Sequence, residues 1–191
     1  MDGYKGEDKE DMMESTENTA RARAYEILAG FFSNEPTREM FDFLNEAISC
    51  SIEDTIEGIE VDFATMFIVP GNGLQPFESL YNRAPDEEPS LWGKATKDVA
   101  GFYRAYGVHI DESTGILPDH ISVELGFMGH LIEREDNNAQ RRFLEEHLLK
   151  WIPEFCDRVY SKANTDFYKG VSKLTKEFIL SEYEAIKGEA R

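Results

Sequence analysis

The sequence predicts an all-α protein, a single globular helical domain whose two helical halves are joined by a proline-rich loop. Three observations support this fold class. Apolar residues recur at spacings of three and four over most of the chain, as on one face of a helix. Apolar and polar residues alternate convincingly over no more than about four residues, so strands are not indicated. Four prolines fall between residues 70 and 89, where the helical spacing disappears.

The composition is that of a globular, acidic chain. Of 191 residues, 41% are hydrophobic and 12% aromatic, which is enough for a packed core. The formal net charge of −18 repels phosphate backbones, so nucleic acid is not an expected partner and a basic one is favoured. Cys50 and Cys156 are far apart in sequence and form no Cys-x-x-Cys motif, so they indicate neither a zinc site nor a redox site.

The N-terminal segment differs from the rest of the chain. Residues 1–16 are acidic and almost without large aliphatic side chains, and we expect a disordered tail followed by one helical domain over residues 17–191. The tail lacks the apolar core of a secretory signal, and no apolar run approaches the roughly 18 residues of a membrane span. We therefore expect a cytoplasmic protein without stable membrane insertion.

Three helices are predicted before the proline-rich loop. Asn18 is a candidate N-cap for the first, which ends at residues 33–36. Pro36 suits the first turn of the second, and residues 70–73 end the third. Their apolar positions are Ala20, Ala24, Ile27, Leu28 and Phe31, then Met40, Phe41, Leu44, Ala47 and Ile48, then Ile56, Ile59, Phe63, Met66 and Phe67.

The loop over residues 74–89 is irregular but carries Phe77, Leu80 and Tyr81. Apolar side chains in an irregular segment need a surface to pack on. A long ordered loop of this kind is usually either functional or a tether between helical units.

The second half predicts further helices. A fourth runs from Leu91 to a C-terminal cap at Gly107, and a fifth begins after Pro118 and ends near residue 135. Residues 136–138 form a break and cap before the sixth, which Pro153 must end or kink. The apolar positions of the remaining helices are Phe155, Val159 and Tyr160, then Phe167, Val171, Leu174, Phe178 and Ile179.

Residues 117–128 carry polar side chains on a helix face that its apolar spacing predicts to be buried. His120 and Glu124 are four apart and lie between two apolar stripes, so their common face should be buried or should line a cleft. Asp119 is expected to be an N-cap or first-turn carboxylate, and with these two residues to face the loop that carries Phe77 and Tyr81. The stripes are Ile121, Leu125, Met128 and Ile132 on one side and Val123, Phe127 and Leu131 on the other.

Catalytic chemistry finds little support in the motifs. Gly71-x-Gly73 follows a predicted helix instead of preceding one, which indicates a turn and not a phosphate-binding loop. The alternative function is that of a helical metal-dependent hydrolase or oxidase. Its ligands would come from one helix, although the second pair points away from the first: His120, Glu124, His130 and Glu133.

Four segments together resemble the TorD/DmsD/NarJ family of redox-enzyme maturation chaperones in order and spacing. They are Phe63-Ala64-Thr65-Met66-Phe67, Pro76-Phe77-Glu78-Ser79-Leu80-Tyr81, Pro118-Asp119-His120 followed by Glu124-Leu125-x-Phe127-Met128, and His147-Leu148-x-x-Trp151-x-Pro153-x-Phe155. The similarity covers nearly the whole chain after the tail.

This resemblance implies an all-helical, cytoplasmic protein that is not an enzyme and has no catalytic residues, metal or cofactor of its own. Its partner would be the catalytic subunit of a molybdoenzyme, or the twin-arginine leader peptide of that subunit, held until the molybdopterin cofactor is inserted before export. Members are monomers or homodimers, including domain-swapped ones with a hinge in the loop joining the helical halves.

A leader with paired arginines and an apolar core requires carboxylates beside an aromatic groove, because arginine forms two-pronged bonds with carboxylates. Methionine adds a surface that adapts to varied peptides. The predicted client-binding residues are Pro76, Phe77, Glu78, Ser79, Tyr81, Phe102, Tyr106, Pro118, Asp119, His120, Glu124, Phe127 and Met128.

Overall fold

Helices build the described chain, which confirms the all-α class. The computed structural model describes residues 4–33, 36–47, 52–69, 73–111, 113 and 115–189, with side chains from residue 15 to 188. Over these ranges no strand forms, and no helix is long and apolar enough to cross a membrane. The α-helices are α1 (Tyr4–Ser33), α2 (Arg38–Ala47), α3 (Ile56–Phe63), α4 (Lys94–Ala105), α5 (Ile121–Glu133), α6 (Asn137–Phe143), α7 (Leu149–Lys162) and α8 (Asp166–Glu189).

Short irregular turns connect some of these helices. A π-helical turn at Ala64–Ile68 continues α3, and a second at Leu144–Leu148 joins α6 to α7. A 3-10 turn at Glu78–Leu80 lies within the proline-rich loop. Such turns shift the direction of the following side chains without breaking the run of backbone hydrogen bonds.

Two predicted caps are confirmed. Asp136 accepts a 2.9 Å hydrogen bond from the amide of Ala139 at the start of α6, which satisfies one of the free amides there. Gly107 follows α4 with φ of 77°, a left-handed conformation that glycine adopts without steric strain.

The N-terminal prediction is wrong in two respects. Helix α1 begins at Tyr4, so Asn18 lies inside the helix and is not its cap. Residues 4–16 are helical where a disordered tail was expected. The reason is that Glu, Lys and Met dominate this segment, and these residues have a high intrinsic helix propensity. The domain limit of residues 17–191 stays a prediction.

Two further helices begin later than predicted. Helix α2 starts at Arg38 and not at Pro36. Helix α4 starts at Lys94, because Trp92 has φ of 65°, which a right-handed helix cannot include. Leu91 and Trp92 therefore belong to the turn before α4, and the indole is 63% exposed.

Pro153 does not end a helix, so that part of its prediction is wrong. It does not begin a new helix either. It lies inside α7, four residues after Leu149. The π-helical turn just before α7 already interrupts the regular α-helical hydrogen bonds.

The core forms mainly where α1 packs on α5 and α7 packs on α8. A Cβ atom on Gly129 of α5 would lie 3.4 Å from the carbonyl oxygen of Ala22, so glycine permits the close approach of α1. Arg21 of α1 pairs with Glu182 of α8 at 2.9 Å and donates to Gln140 of α6 at 3.1 Å. The largest fully buried side chains include Trp151, Tyr25, Tyr103, Tyr168, Phe31, Phe143, Phe155 and Phe167.

Two carboxylates hold the start of α8. Buried Asp62 of α3 accepts from the amide of Thr165 at 2.9 Å and from its hydroxyl at 2.6 Å. Asp54 accepts from the amide of Phe167 at 2.8 Å. Both carboxylates meet the positive end of the helix, so they fix α8 to the first half of the chain.

Candidate functional site

The proline-rich loop lies against the start of α5, as the sequence predicts. The amide of Glu78 donates to the carbonyl of Asp119, and the amide of Ile121 donates to the carbonyl of Pro76, both at 2.9 Å. Phe77 and His120 form an isolated antiparallel bridge, with ring centroids 5.2 Å apart. We call residues 76–81 and 118–124 together the loop–helix junction.

The predicted roles of Asp119 and His120 are exchanged. His120 is the N-cap of α5, and its Nδ1 accepts from the amide of Ser122 at 3.2 Å. Asp119 is fully buried, and its Oδ2 accepts from the amide of Ser79 at 3.0 Å. Asp119 therefore stabilises the turn in the loop, and the prediction that it caps α5 is wrong. The cause is that α5 begins at Ile121, later than its apolar pattern suggests.

Burial lowers the pKa of His120 to about 4, and the nearby Asp119 carboxylate only partly opposes this shift. The imidazole is therefore neutral at neutral pH, which its role as a hydrogen-bond acceptor at the N-cap requires. Ser122 Oγ lies 2.7 Å from the same Nδ1 atom.

Three carboxyl groups of the junction lie inside the protein. Glu78, Asp119 and Glu124 each have 0% exposed surface. Glu78 faces Nδ1 of His147 at 3.0 Å, and Glu124 Oε2 accepts from the indole of Trp151 at 2.9 Å. A buried acid among apolar side chains requires a hydrogen-bond partner, and for Glu124 this partner is the indole of Trp151.

The surroundings of Glu124 favour its protonated form. Burial raises its pKa well above the ordinary value, the negative charges of Glu78 and Asp119 raise it further, and the indole bond opposes them. Its Oε1 is buried and forms no hydrogen bond with any described residue, which disfavours a negative charge on it. A proton on that oxygen supplies a donor toward Glu78, since a neutral acid can donate where an ionised one only accepts.

The predicted aromatic wall is an interior cluster. Phe127 lies within 5.9 Å of Phe102 and 4.5 Å of Tyr103, measured between ring centroids. The hydroxyl of Tyr103 donates to the carbonyl of Pro118 at 2.9 Å, and burial raises its pKa well above the ordinary value. The cluster thus packs beneath the junction and binds its backbone.

Direct contact with a client is unavailable to much of the predicted set in this conformation. A side chain between two apolar stripes can line a cleft or be enclosed, and the sequence does not distinguish the two. The enclosed residues are Pro76, Glu78, Ser79, Phe102, Asp119, Glu124, Phe127 and Met128. The half-buried ones are Phe77, Tyr81, Tyr106, Pro118 and His120.

An apolar groove of about 530 Å³ opens beside the junction. The sequence does not predict this groove, because its apolar spacing places Trp92 in the fourth helix and residues 111–115 read as a linker between two helices. The groove could have been predicted by the argument used for the proline-rich loop, because apolar residues in an irregular segment need a surface to pack on. The groove is lined by Trp92, Val108, Ile110, Ile116, Leu117 and Pro118, together with Tyr103 and Arg104.

The alternative metal site is not assembled. Across the part of the chain that the structure describes, no three His, Cys, Asp or Glu side chains are placed to hold a metal ion. Glu124 is enclosed and bonded to Trp151, while Glu133 is exposed at the end of α5. His130 and Glu133 thus do not join His120 and Glu124.

Comparisons with known proteins identify the family of this chain. The family described as "Nitrate reductase delta subunit" matches residues 33–157. Chaperone protein TorD from Shewanella loihica is 24% identical over 198 residues, covering 88% of this chain and 94% of its own. Chaperone protein TorD from Vibrio atlanticus is 26% identical over 177 residues, covering 85% and 81%.

A solved structure shares the fold. It is a crystal structure of an Archaeoglobus fulgidus protein named as a redox enzyme maturation protein, with a TM-score of 0.55 and 24% identity over 83% of this chain and 93% of that one. The chain therefore belongs to the nitrate reductase delta subunit family, which includes the TorD/DmsD/NarJ chaperones that its motifs resemble.

Proposed function

We propose that this protein is a chaperone for the maturation of a molybdopterin oxidoreductase. It binds the catalytic subunit in the cytoplasm, before export, and holds it while the molybdopterin cofactor is inserted. The relatives named chaperone protein TorD and the fold shared with a named maturation protein support this function. We propose no catalytic reaction for the chain itself.

The observation that carries the proposal is the open apolar groove beside a rigidly bonded loop–helix junction. Peptide-binding sites combine an apolar groove that accepts side chains with a scaffold that fixes its shape. Trp92 is 63% exposed and Ile116 is 44% exposed, although both are apolar. Exposed apolar residues gathered at one groove mark an interaction site more often than scattered ones do.

The leader of the catalytic subunit is the proposed ligand. Its apolar core would lie in the groove, and its paired arginines would meet exposed carboxylates that are close to Trp92 and Ile110 in the sequence. These are exposed side chains at Asp86, Glu87, Glu88 and Asp111. Arginine binds such carboxylates through charge-assisted bonds, and the net charge of −18 attracts a basic peptide over longer distances.

The buried residues of the junction act indirectly in this proposal. Tyr103 holds the carbonyl of Pro118, and Pro118 lines the groove. Asp119 and Ile121 bind the loop through the hydrogen bonds at Ser79 and Pro76. These bonds keep one wall of the groove in place, so we assign Glu78, Asp119 and Glu124 to positioning and not to direct contact with the client.

Titration calorimetry tests the proposal with two arms. One arm uses a synthetic twin-arginine leader from a molybdopterin oxidoreductase of the source organism, and the other uses that catalytic subunit without its leader. We expect Trp92→Ala and Ile116→Ala to weaken leader binding by about tenfold or more, since central aromatic and aliphatic anchors dominate peptide interfaces.

Tyr160→Ala is the matched control, because Tyr160 is also an exposed aromatic residue, at 52%, but lies on α7 outside the groove. Equal affinity of the wild type and both groove variants would exclude the groove. Binding in the leaderless arm alone, with none to the leader peptide, would move recognition to the mature subunit. Absence of binding in both arms would contradict the chaperone function.

A further inference from the structure

A second cavity, of about 760 Å³, is lined by basic side chains from three helices. Lys94 and Lys97 come from α4, Arg142 from α6 and Lys150 from α7. We call this cavity, with His147 on its wall, the basic pocket. It is distinct from the apolar groove and unexpected in a chain whose net charge is −18.

The charges of the basic pocket are only partly balanced. Two carboxylates also line it, and each pairs with a cation: Asp98 with Lys94, and Glu146 with Arg142 at 3.1 Å. Lys97 and Lys150 form no ion pair with any residue that the structure describes. Two positive charges therefore remain available for an anion.

His147 adds a buried polar group to the wall of the pocket. Its side chain is almost fully buried, and its Nδ1 lies 3.0 Å from Glu78. Because a carboxylate only accepts, Nδ1 carries the hydrogen. The other ring nitrogen, Nε2, forms no hydrogen bond within the described chain and belongs to a residue that lines the pocket.

The aromatic side of the pocket is ordered by stacking. The guanidinium carbon of Arg142 lies 5.2 Å from the ring centre of Phe102. Tyr106 also stacks on Phe102, with ring centroids 5.2 Å apart and an angle of 15° between the ring planes. The stacked rings restrict the position of Arg142, which favours binding of an anion in a defined geometry.

We propose that the basic pocket binds a small phosphate-bearing anion. Lysine ammonium groups and a positioned guanidinium are the side chains that proteins use for phosphate oxygens. The cavity is concave and of a size suited to a small molecule. This site is independent of the leader-binding groove, so either proposal can fail without the other.

Inorganic pyrophosphate at constant ionic strength is the probe. We expect a saturable calorimetric signal and a shift of the imidazole nitrogen resonances of His147, with those of His109 unchanged because His109 lines the other cavity. Parallel titrations with inorganic phosphate and phenyl phosphate distinguish a free anion from a phosphate ester as the preferred form.

The double variant Lys97→Gln/Lys150→Gln should bind pyrophosphate about tenfold more weakly or worse, since it removes two ammonium groups that would form charge-assisted hydrogen bonds with the phosphate oxygens. Lys173→Gln/Lys187→Gln makes the same change of charge on α8, away from the pocket, and should bind like the wild type. No saturable binding to the wild type, or an equal loss in both double variants, would overturn the proposal.

Discussion

The indole nitrogen of Trp151 donates a 2.9 Å hydrogen bond to the carboxyl group of Glu124, and both side chains are fully buried. The bond joins α5 to α7 directly beneath the loop–helix junction. Because burial raises the pKa of Glu124, this contact is favoured as a hydrogen bond between two neutral groups over one to a buried, charged carboxylate.

Replacing Glu124 tests this contact. Glu124→Gln keeps the shape, an acceptor for Trp151 and a donor toward Glu78, so we expect the free energy of unfolding to change by less than about 1 kcal/mol. Glu124→Ala leaves the indole unpaired and opens a cavity, which should cost about 2–4 kcal/mol. Urea unfolding at neutral pH measures both. A Gln variant as unstable as the Ala variant would contradict the protonated state.

The pH dependence of stability provides a second test of Glu124. Its pKa is higher in the folded state than in the unfolded chain, so its contribution to stability is complete below the unfolded value and is lost as pH rises above it. Glu124→Gln cannot lose a proton there. We therefore expect the stability of the variant relative to the wild type to increase from about pH 5 to about pH 8. A constant difference across this interval would disagree with the assignment.

For His120 we expect the opposite dependence of stability on pH. Its folded pKa of about 4 is below the ordinary 6.5, so its contribution is present above the unfolded value and is lost as pH falls toward the folded one. Between about pH 7 and about pH 5 the loss should reach roughly 2 kcal/mol relative to His120→Asn, which does not titrate. Unfolding curves of the two proteins at both pH values measure it, and parallel behaviour would count against the buried neutral imidazole.

The cap itself can be tested at neutral pH. His120→Ala removes the acceptor for the amide of Ser122 and should destabilise the protein by about 1 kcal/mol. His120→Asn retains a side-chain acceptor and should recover most of that loss. If Ala and Asn at this position have equal stability by urea unfolding, the hydrogen bond from Ser122 does not stabilise α5.

Asp62 should be among the more sensitive acidic positions. Asp62→Ala leaves the amide and hydroxyl of Thr165 without their buried acceptor, and we expect a loss of about 2–4 kcal/mol in the free energy of unfolding. Asp166→Ala is the control, because Asp166 is exposed in the first turn of the same helix. Similar losses in both variants would show that charge near α8, and not the buried bond, matters.

The sequence predicts the helices well where apolar spacing determines them. The start of α4 was missed because the left-handed backbone of Trp92 has no signature in periodicity. The start of α1 was missed because a polar segment with strong helix formers resembles a tail in composition.

The sequence predicts which residues of the candidate site lie close together, but it does not predict which of them are exposed. Motif spacing brings Phe77 and His120 together, and the structure confirms the contact. Whether Asp119 and Glu124 face solvent depends on what packs over them, namely Ser79 of the loop and Trp151 of α7. These partners are distant in sequence, and no local pattern specifies them.

The segment over residues 83–92 is exposed throughout, while the backbone bonds between Pro76 and Ile121 and between Glu78 and Asp119 span it. A protease that cuts this segment would therefore produce a nicked protein whose two fragments stay associated. The N-terminal fragment would keep α1 packed on α5, and Asp62 bound to the start of α8. These contacts lead us to expect that the two pieces, expressed separately, would complement each other.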